Sequence, residues 1–184
     1  TMNTLLGCFI AFAALALAQP NLPTSFSSTN LEIRRVFDNH GFNATGAQYE
    51  DYTNKMTRLN IDDTREQYEL LQIYGSKIEY ETMNGKVCKN HTLDHTMEAF
   101  FGWAAQAAKG KDCDSGFSTA KGTLWERKDK DHDAAVCVAS DNETPYWAEF
   151  GEDHDHRKAG FRFVYKSFTA GQPQSSVFAV PSYC

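Results

Sequence analysis

Residues 68–89 read YELLQIYGSKIEYETMNGKVCK and contain short β-type runs separated by turn residues. The run 68–74 is rich in apolar and aromatic side chains, and Gly75-Ser76 follows it as a turn. The run 77–82 then alternates charged residues with apolar or β-branched ones. This pattern predicts two antiparallel strands joined in a hairpin.

The second turn of this stretch is the more specific one. Asn84-Gly85 supplies the two residues with positive φ that a type I′ turn requires, and a further strand follows it directly. In the preceding strand, Lys77, Glu79 and Glu81 project to one side because side chains alternate along a strand. The stretch therefore predicts an antiparallel meander with one solvated face.

Other parts of the chain repeat this β-type pattern. Alternation predicts further strands at 31–37, 122–127, 134–139 and 161–166. In the last of these, three aromatic rings fall on one face, which directs them either into a core or toward a ligand.

One segment interrupts the β pattern. Residues 94–109 begin with the N-cap candidate Asp94 and continue with Ala-rich sequence. Their apolar residues recur at helical spacing, at Phe100, Trp103, Ala104 and Ala107. We therefore expect a single domain that is mainly antiparallel β, with one or two helices.

The composition excludes two classes of protein. The 184 residues are 41% hydrophobic and 13% aromatic, which is unlike a disordered chain. Eighteen Lys and Arg residues against 24 Asp and Glu residues give a net charge of −6 and no basic stripe, so we expect no nucleic-acid partner.

The N-terminal region predicts secretion. Residues 5–18 read LLGCFIAFAALALA, an uncharged run that is too short to span a membrane and ends in the small-x-small pattern of a signal-peptidase site. We interpret 1–18 as a signal peptide, 19–30 as an extended leader and 31–184 as the folded domain. No other apolar run approaches membrane-spanning length, so we expect no transmembrane segment.

The cysteines agree with secretion. Removing the signal peptide leaves Cys88, Cys113, Cys137 and Cys184. An even number of cysteines in a secreted chain predicts two disulfides, with three pairings open.

Secretion also gives meaning to three Asn-x-Ser/Thr triplets. They begin at Asn43, Asn90 and Asn142, and each predicts an exposed site of N-glycosylation. Pro145 directly follows the third triplet and is expected to hinder its modification.

A calcium site is a weak prediction between two of the strands. Asp129, Asp131 and Asp133 have the alternating spacing of a calcium-binding loop. An EF-hand would need Gly and Glu where this chain has Ala134 and Ser140, so that motif is excluded. A solvated turn is the alternative.

The segment 152–156, EDHDH, is the one candidate for a transition-metal site. On a strand, His154 and His156 would share a face and could supply two nitrogen ligands. The flanking glycines and the lack of apolar residues favour an exposed acidic loop instead. We find no nucleophile motif, phosphate-binding loop or dinucleotide motif, so no catalytic residue is assigned.

Three segments together resemble the ependymin family of secreted proteins. They are 49–58 (YEDYTNKMTR), 78–93 (IEYETMNGKVCKNHTL) and 176–184 (SVFAVPSYC). The resemblance implies a LolA-like half-barrel of curved antiparallel sheets around a hydrophobic pocket, in an extracellular, non-enzymatic homodimer. It also implies a bridge between Cys88 and Cys184, which leaves Cys113 for Cys137.

The leading hypothesis is a secreted, non-enzymatic glycoprotein that binds a lipid or similar hydrophobic ligand and needs no cofactor. The alternative is an extracellular matrix or cell-adhesion protein whose acidic loops associate with calcium. A metal-dependent enzyme using His154 and His156 is the third hypothesis. The sequence does not identify the residues that line the pocket.

Overall fold

Antiparallel β-structure dominates the protein, which we describe from a computed structural model over residues 19–36, 43–129, 132–154 and 157–184. The strands form one large sheet that is not closed into a barrel. In chain order they are β1 (Phe26–Val36), β2 (Asn43–Asp51), β3 (Met56–Asp62), β4 (Gln67–Ile73), β5 (Ile78–Met83), β6 (Val87–Thr92), β7 (Ala108–Asp114), β8 (Lys121–Lys128), β9 (His132–Val138), β10 (Pro145–His154), β11 (Arg157–Tyr165) and β12 (Thr169–Ala170). The expected mainly β, antiparallel, disulfide-pinned fold is confirmed.

The order of the strands places the first one at the centre. Across the sheet the order is β6-β5-β4-β3-β2-β1-β11-β10-β9-β8-β7, and β12 also pairs with β1. The chain therefore runs outward from β1 to the β6 edge, passes to the opposite edge, and returns inward from β7 to β11.

The meander predicted at 68–89 is present as β4, β5 and β6. Asn84 and Gly85 have the expected positive φ angles of 53° and 61°. The first turn is longer than predicted, because β4 ends at Ile73 and Lys77 lies in the turn. The sequence predicts that the face with Glu79 and Glu81 is solvated, but both residues are half-buried. They lie on the same side of the sheet as the core described below.

The helix predicted over 94–109 is wrong. A single 3₁₀ helix covers Gly102–Gln106, and β7 begins at Ala108. The segment 93–107 must connect opposite edges of the sheet, which are ten inter-strand steps of about 4.8 Å apart along its surface. An α-helix over the predicted residues would extend only about 24 Å, which is shorter than this path. Residues 93–99 accordingly form no helix, and only a 3₁₀ helix forms before β7.

The first strand begins earlier than the sequence predicts. The predicted leader extends to residue 30, but β1 starts at Phe26, whose side chain is fully buried. The rings of Phe100, Phe101, Tyr165 and Phe168 surround it at centroid distances of 5.0 to 6.2 Å.

The two faces of the sheet bury different groups. We call inner the face that carries the main core and is crossed by the segment 93–107; its buried strand residues are Phe26, Leu31, Ile33, Ala44, Trp125, Val136, Val138, Ala148 and Tyr165. The opposite, outer face carries a smaller cluster around Cys137, Trp147 and Val164. The aromatic face predicted for 161–166 contributes Phe163 and Tyr165 to the inner core, while Phe161 is 44% exposed.

Both disulfides lie on the outer face. The structure pairs Cys88 with Cys184 and Cys113 with Cys137, which is the pairing that the family resemblance implies. The first bridge joins β6 to the end of a C-terminal segment that crosses β3, where Arg58 Nη1 donates to the carbonyl oxygen of Val177 at 2.6 Å. Among the described residues, no helix is long and apolar enough to cross a membrane.

Gly46 in β2 is a position where the sheet tolerates no side chain. A Cβ atom built there would overlap the carbonyl oxygen of Asn60 on β3. We expect Gly46→Ala to lower the free energy of unfolding by about 2 kcal/mol, because the two strands would have to separate. Urea unfolding followed by circular dichroism measures this.

Gly75 provides the matched control. A Cβ atom added at Gly75 has no neighbouring atom within 4 Å, so Gly75→Ala is expected to change stability by less than about 0.5 kcal/mol. Equal unfolding midpoints for the two variants would contradict the close approach of β2 and β3 at Gly46.

Candidate functional site

A cavity of about 200 Å³ opens on the inner face, over strands β2, β3 and β4. Part of the crossing segment forms one wall, and β11 contributes one ring. The lining residues are Gln48, Glu50, Thr57, Arg58, Leu59, Leu70, Gln72, Tyr74, Glu98, Phe100 and Phe163. Cross-strand pairing explains why so many of them meet, since Glu50, Thr57 and Gln72 lie side by side, as do Gln48, Leu59 and Leu70.

The apolar part of the cavity is continuous with the core. Leu59 and Leu70 are direct cross-strand neighbours. Phe100 packs edge-on against Phe163 at 6.1 Å and against Phe150 at 5.2 Å, both measured between ring centroids. A ligand in the cavity would therefore contact rings that already belong to the aromatic core.

Glu50 is a buried acidic group in this lining. Its residue exposure is 6%, and its carboxylate accepts a hydrogen bond from Gln48 Nε2 at 3.0 Å. The oxygen of the same Gln48 amide accepts from the hydroxyl of Tyr165 at 3.2 Å. Burial raises the pKa of Glu50 to about 7, and the hydrogen bond from Gln48 only partly offsets it.

A second group of polar side chains lies further along β4. Gln72 Oε1 accepts hydrogen bonds from Thr57 Oγ1 at 3.0 Å and from the Tyr74 hydroxyl at 2.9 Å. Gln72 Nε2 donates to Glu79 at 2.7 Å. The pKa of Tyr74 is raised, mainly by burial and further by the carboxylates of Glu50 and Glu79.

The charged groups at the cavity are acidic. Glu50 and Glu98 line it, whereas the guanidinium of the lining residue Arg58 is held elsewhere. Arg58 Nη2 contacts Glu69 at 2.6 Å, and its Nη1 donates to Val177 on the outer face. The cavity can therefore accept hydrogen bonds and attract positive charge, beside an apolar wall.

The structure describes only some of the residues in each predicted metal site. Asp129 contacts Arg127 at 2.7 Å, Asp133 lies in β9, and Asp131 lies outside the described residues. In the second candidate, His154 is the last residue of β10 and His156 lies outside the described residues. Over the described part of the chain, no three metal-ligating side chains cluster.

The three predicted glycosylation sites differ in their surroundings. Asn43, at the start of β2, and Asn90, on the edge strand β6, are exposed. Asn142 is half-buried, and its side-chain nitrogen donates to the carbonyl oxygen of Gln19 at 2.9 Å.

Sequence reasoning missed the main residues of the cavity. Gln48 and Glu50 alternate along a strand with Tyr49 and Asp51, and such polar positions are normally interpreted as a solvated face. The alternation along the strand does predict that Gln48 and Glu50 share a face, but it does not predict whether that face is buried.

Comparison with known proteins adds little to this description. No family model and no curated protein matches the chain. Among solved structures, MucB in complex with MucA(peri) matches with a TM-score of 0.48 and 12% identity, over 87% of this chain and 55% of that one. This chain thus spans about half of the length of that protein.

Two further solved structures match more weakly. A DUF1329 family protein from Desulfovibrio piger has a TM-score of 0.38 and 6% identity, with 86% of this chain and 91% of that chain covered. A putative outer membrane lipoprotein-sorting protein domain from Vibrio parahaemolyticus has a TM-score of 0.39 and 8% identity, with coverages of 84% and 89%.

The raised pKa of Glu50 predicts that stability falls as the pH rises. Between the ordinary value of 4.5 and about 7, the folded state binds more protons at Glu50 than the unfolded state does. We expect the free energy of unfolding to drop by roughly 2 to 3 kcal/mol from pH 5 to pH 8, and Glu50→Gln to remove this dependence. Urea unfolding at several pH values measures it.

Glu32 contributes almost nothing to the change in the free energy of unfolding between pH 5 and pH 8. Hydrogen bonds from Arg34 and Lys166 lower the pKa of Glu32 to about 2, so its contribution is lost only below pH 4.5. The exposed Glu66 provides the control, since Glu66→Gln should leave the dependence unchanged. A wild-type protein equally stable at pH 5 and pH 8 would contradict the burial of an ionisable Glu50.

Proposed function

We propose that this protein is a secreted, non-enzymatic glycoprotein that binds a hydrophobic ligand, such as a lipid, on the inner face of its sheet. The observation that carries the proposal is the cavity beside the aromatic core, whose wall includes Leu59, Leu70, Phe100 and Phe163. Ligand sites are typically concave and mostly apolar, with a few polar groups that fix orientation. Glu50 is such a polar group here.

The lining supports binding rather than catalysis. Its described side chains supply two carboxyl groups, two amides and the hydroxyls of Thr57 and Tyr74, which already donate to Gln72. A hydrolytic nucleophile needs a base within hydrogen-bond reach. These hydroxyls instead meet an amide oxygen, which cannot serve as that base.

The size of the cavity limits what it can enclose. Its volume of about 200 Å³ is below the ~300 to 1,000 Å³ of typical small-molecule sites. The cavity thus encloses one end of an amphiphile, and the remainder of the ligand extends past the exposed residue Glu98.

Independent features support the proposed compartment. Two disulfides are typical of an extracellular or periplasmic protein. The apolar run at 5–18 and the exposed Asn43 and Asn90 favour passage through a eukaryotic secretory route. The resemblance to the ependymin family supports the same assignment and further implies a homodimer.

Filling the cavity should weaken ligand binding. We expect Leu70→Trp to weaken binding of the neutral dye Nile red at least tenfold, because the indole ring would occupy the apolar part of the cavity. Fluorescence titration measures the affinity, and native mass spectrometry of the wild-type protein should show a co-purifying hydrophobic molecule.

The control for this variant is Val87→Trp, which adds the same ring at an exposed position of β6. It should bind Nile red like the wild type. If wild-type protein takes up no dye and carries no hydrophobic molecule, the carrier function is wrong. Equal dye binding by folded Leu70→Trp would instead show that ligands bind elsewhere.

Glycosylation tests the secretory assignment. Expressed in secreting animal cells, the protein should enter the medium and shift in mass when N-glycans are removed enzymatically. We expect Asn43→Gln and Asn90→Gln each to remove one step of this shift. Retention of unmodified protein inside the cells would contradict the assignment.

A further inference from the structure

We propose that the cavity selects amphiphiles whose polar end is an amine or ammonium group, and that the carboxylate of Glu50 receives this group. The inference rests on the proposed function and specifies the chemical class of its ligand. Fatty acids, whose polar end is a carboxylate, are the class that it disfavours at pH 8, where Glu50 is mostly ionised.

The charge of the lining is the first argument. Glu50 and Glu98 line the cavity, and Glu79 lies directly behind Gln72. Arg58 also belongs to the lining, but its guanidinium is bound to Glu69 and to the C-terminal segment on the outer face. An anionic head group would therefore meet like charges, whereas an ammonium would be attracted.

The hydrogen-bond inventory is the second argument. A hydroxyl has one donor hydrogen, and those of Thr57, Tyr74 and Tyr165 are directed to the amide oxygens of Gln72 and Gln48. One N–H group of each amide is directed to a carboxylate.

The carboxylate of Glu50 can accept further hydrogen bonds. It has about four acceptor positions, and within the described residues the bond from Gln48 occupies one of them. A ligand that donates hydrogen bonds thus finds an acceptor. A ligand that only accepts them finds no free hydroxyl hydrogen and can use only the second N–H of each amide.

The aromatic wall and the burial of Glu50 give the third argument. The rings of Tyr74, Phe100 and Phe163 line the same cavity, and aromatic faces attract ammonium groups. Burial of Glu50 disfavours its charged form, which is why its pKa is raised. An ammonium would supply the opposite charge, so a cationic ligand would stabilise the ionised form of Glu50 more than a neutral or anionic ligand would.

Three ligands with the same eight-carbon chain test the inference. Octylamine, octanol and octanoate would each compete with Nile red on the full chain at pH 8, where octylamine is cationic and Glu50 mostly ionised. We expect octylamine to bind at least tenfold more tightly than octanoate. Glu50→Gln should weaken octylamine about tenfold and change octanol by less than twofold.

Two further variants keep the test decisive. Glu98→Gln removes a charge at the exposed part of the lining and should weaken octylamine about threefold, so it serves if Glu50→Gln does not fold. Glu66→Gln removes a charge on an exposed loop outside the lining and should change nothing.

The outcomes separate the two proposals. Octanol binding together with equal affinities for octylamine and octanoate would overturn the amine selectivity but leave a hydrophobic carrier. Equal loss of octanol and octylamine in folded Glu50→Gln would also overturn it, since Glu50 would then act only through the shape of the cavity. Absence of binding by all three ligands and Nile red would overturn both.

Discussion

The packing of aromatic rings around Phe26 is the interaction on which the rest of the structure depends. Phe26 lies on the central strand β1, and its ring contacts Phe101 of the crossing segment and Phe168 next to β12. The crossing segment joins opposite edges of the sheet, so its packing against the centre determines which part of the inner face is covered. Phe100, the next ring along, then becomes both part of this core and a wall of the cavity.

The cavity exists because polar side chains replace apolar ones beside that aromatic packing. Gln48 and Glu50 lie on the inner face of β2, where continued apolar residues would have extended the core. Burying a carboxyl group disfavours its ionisation, and the single bond from Gln48 does not compensate fully. The protein therefore retains an unfavourable group at one place, as is common at binding sites.

Local patterns predicted the hairpins but not the long connections. Asn84 and Gly85 both tolerate the positive φ angles that their turn requires. This preference is local, so the sequence alone predicts the turn. The Ala-rich segment 94–109 has helical spacing, yet the distance between the sheet edges overrides it. Whether Glu50 faces solvent or a cavity depends on which segment crosses above it, and no pattern within β2 contains that information.

The two faces of the sheet are stabilised by different means. Covalent bridges at Cys88–Cys184 and Cys113–Cys137 lie on the outer face and restrict the unfolded chain, whatever occupies the inner face. The inner face is covered by the side-chain packing of the crossing segment. Packed rings can shift when a cavity is filled, whereas a disulfide holds its partners together, so the proposed ligand would bind at Glu50 without disturbing the bridged outer face.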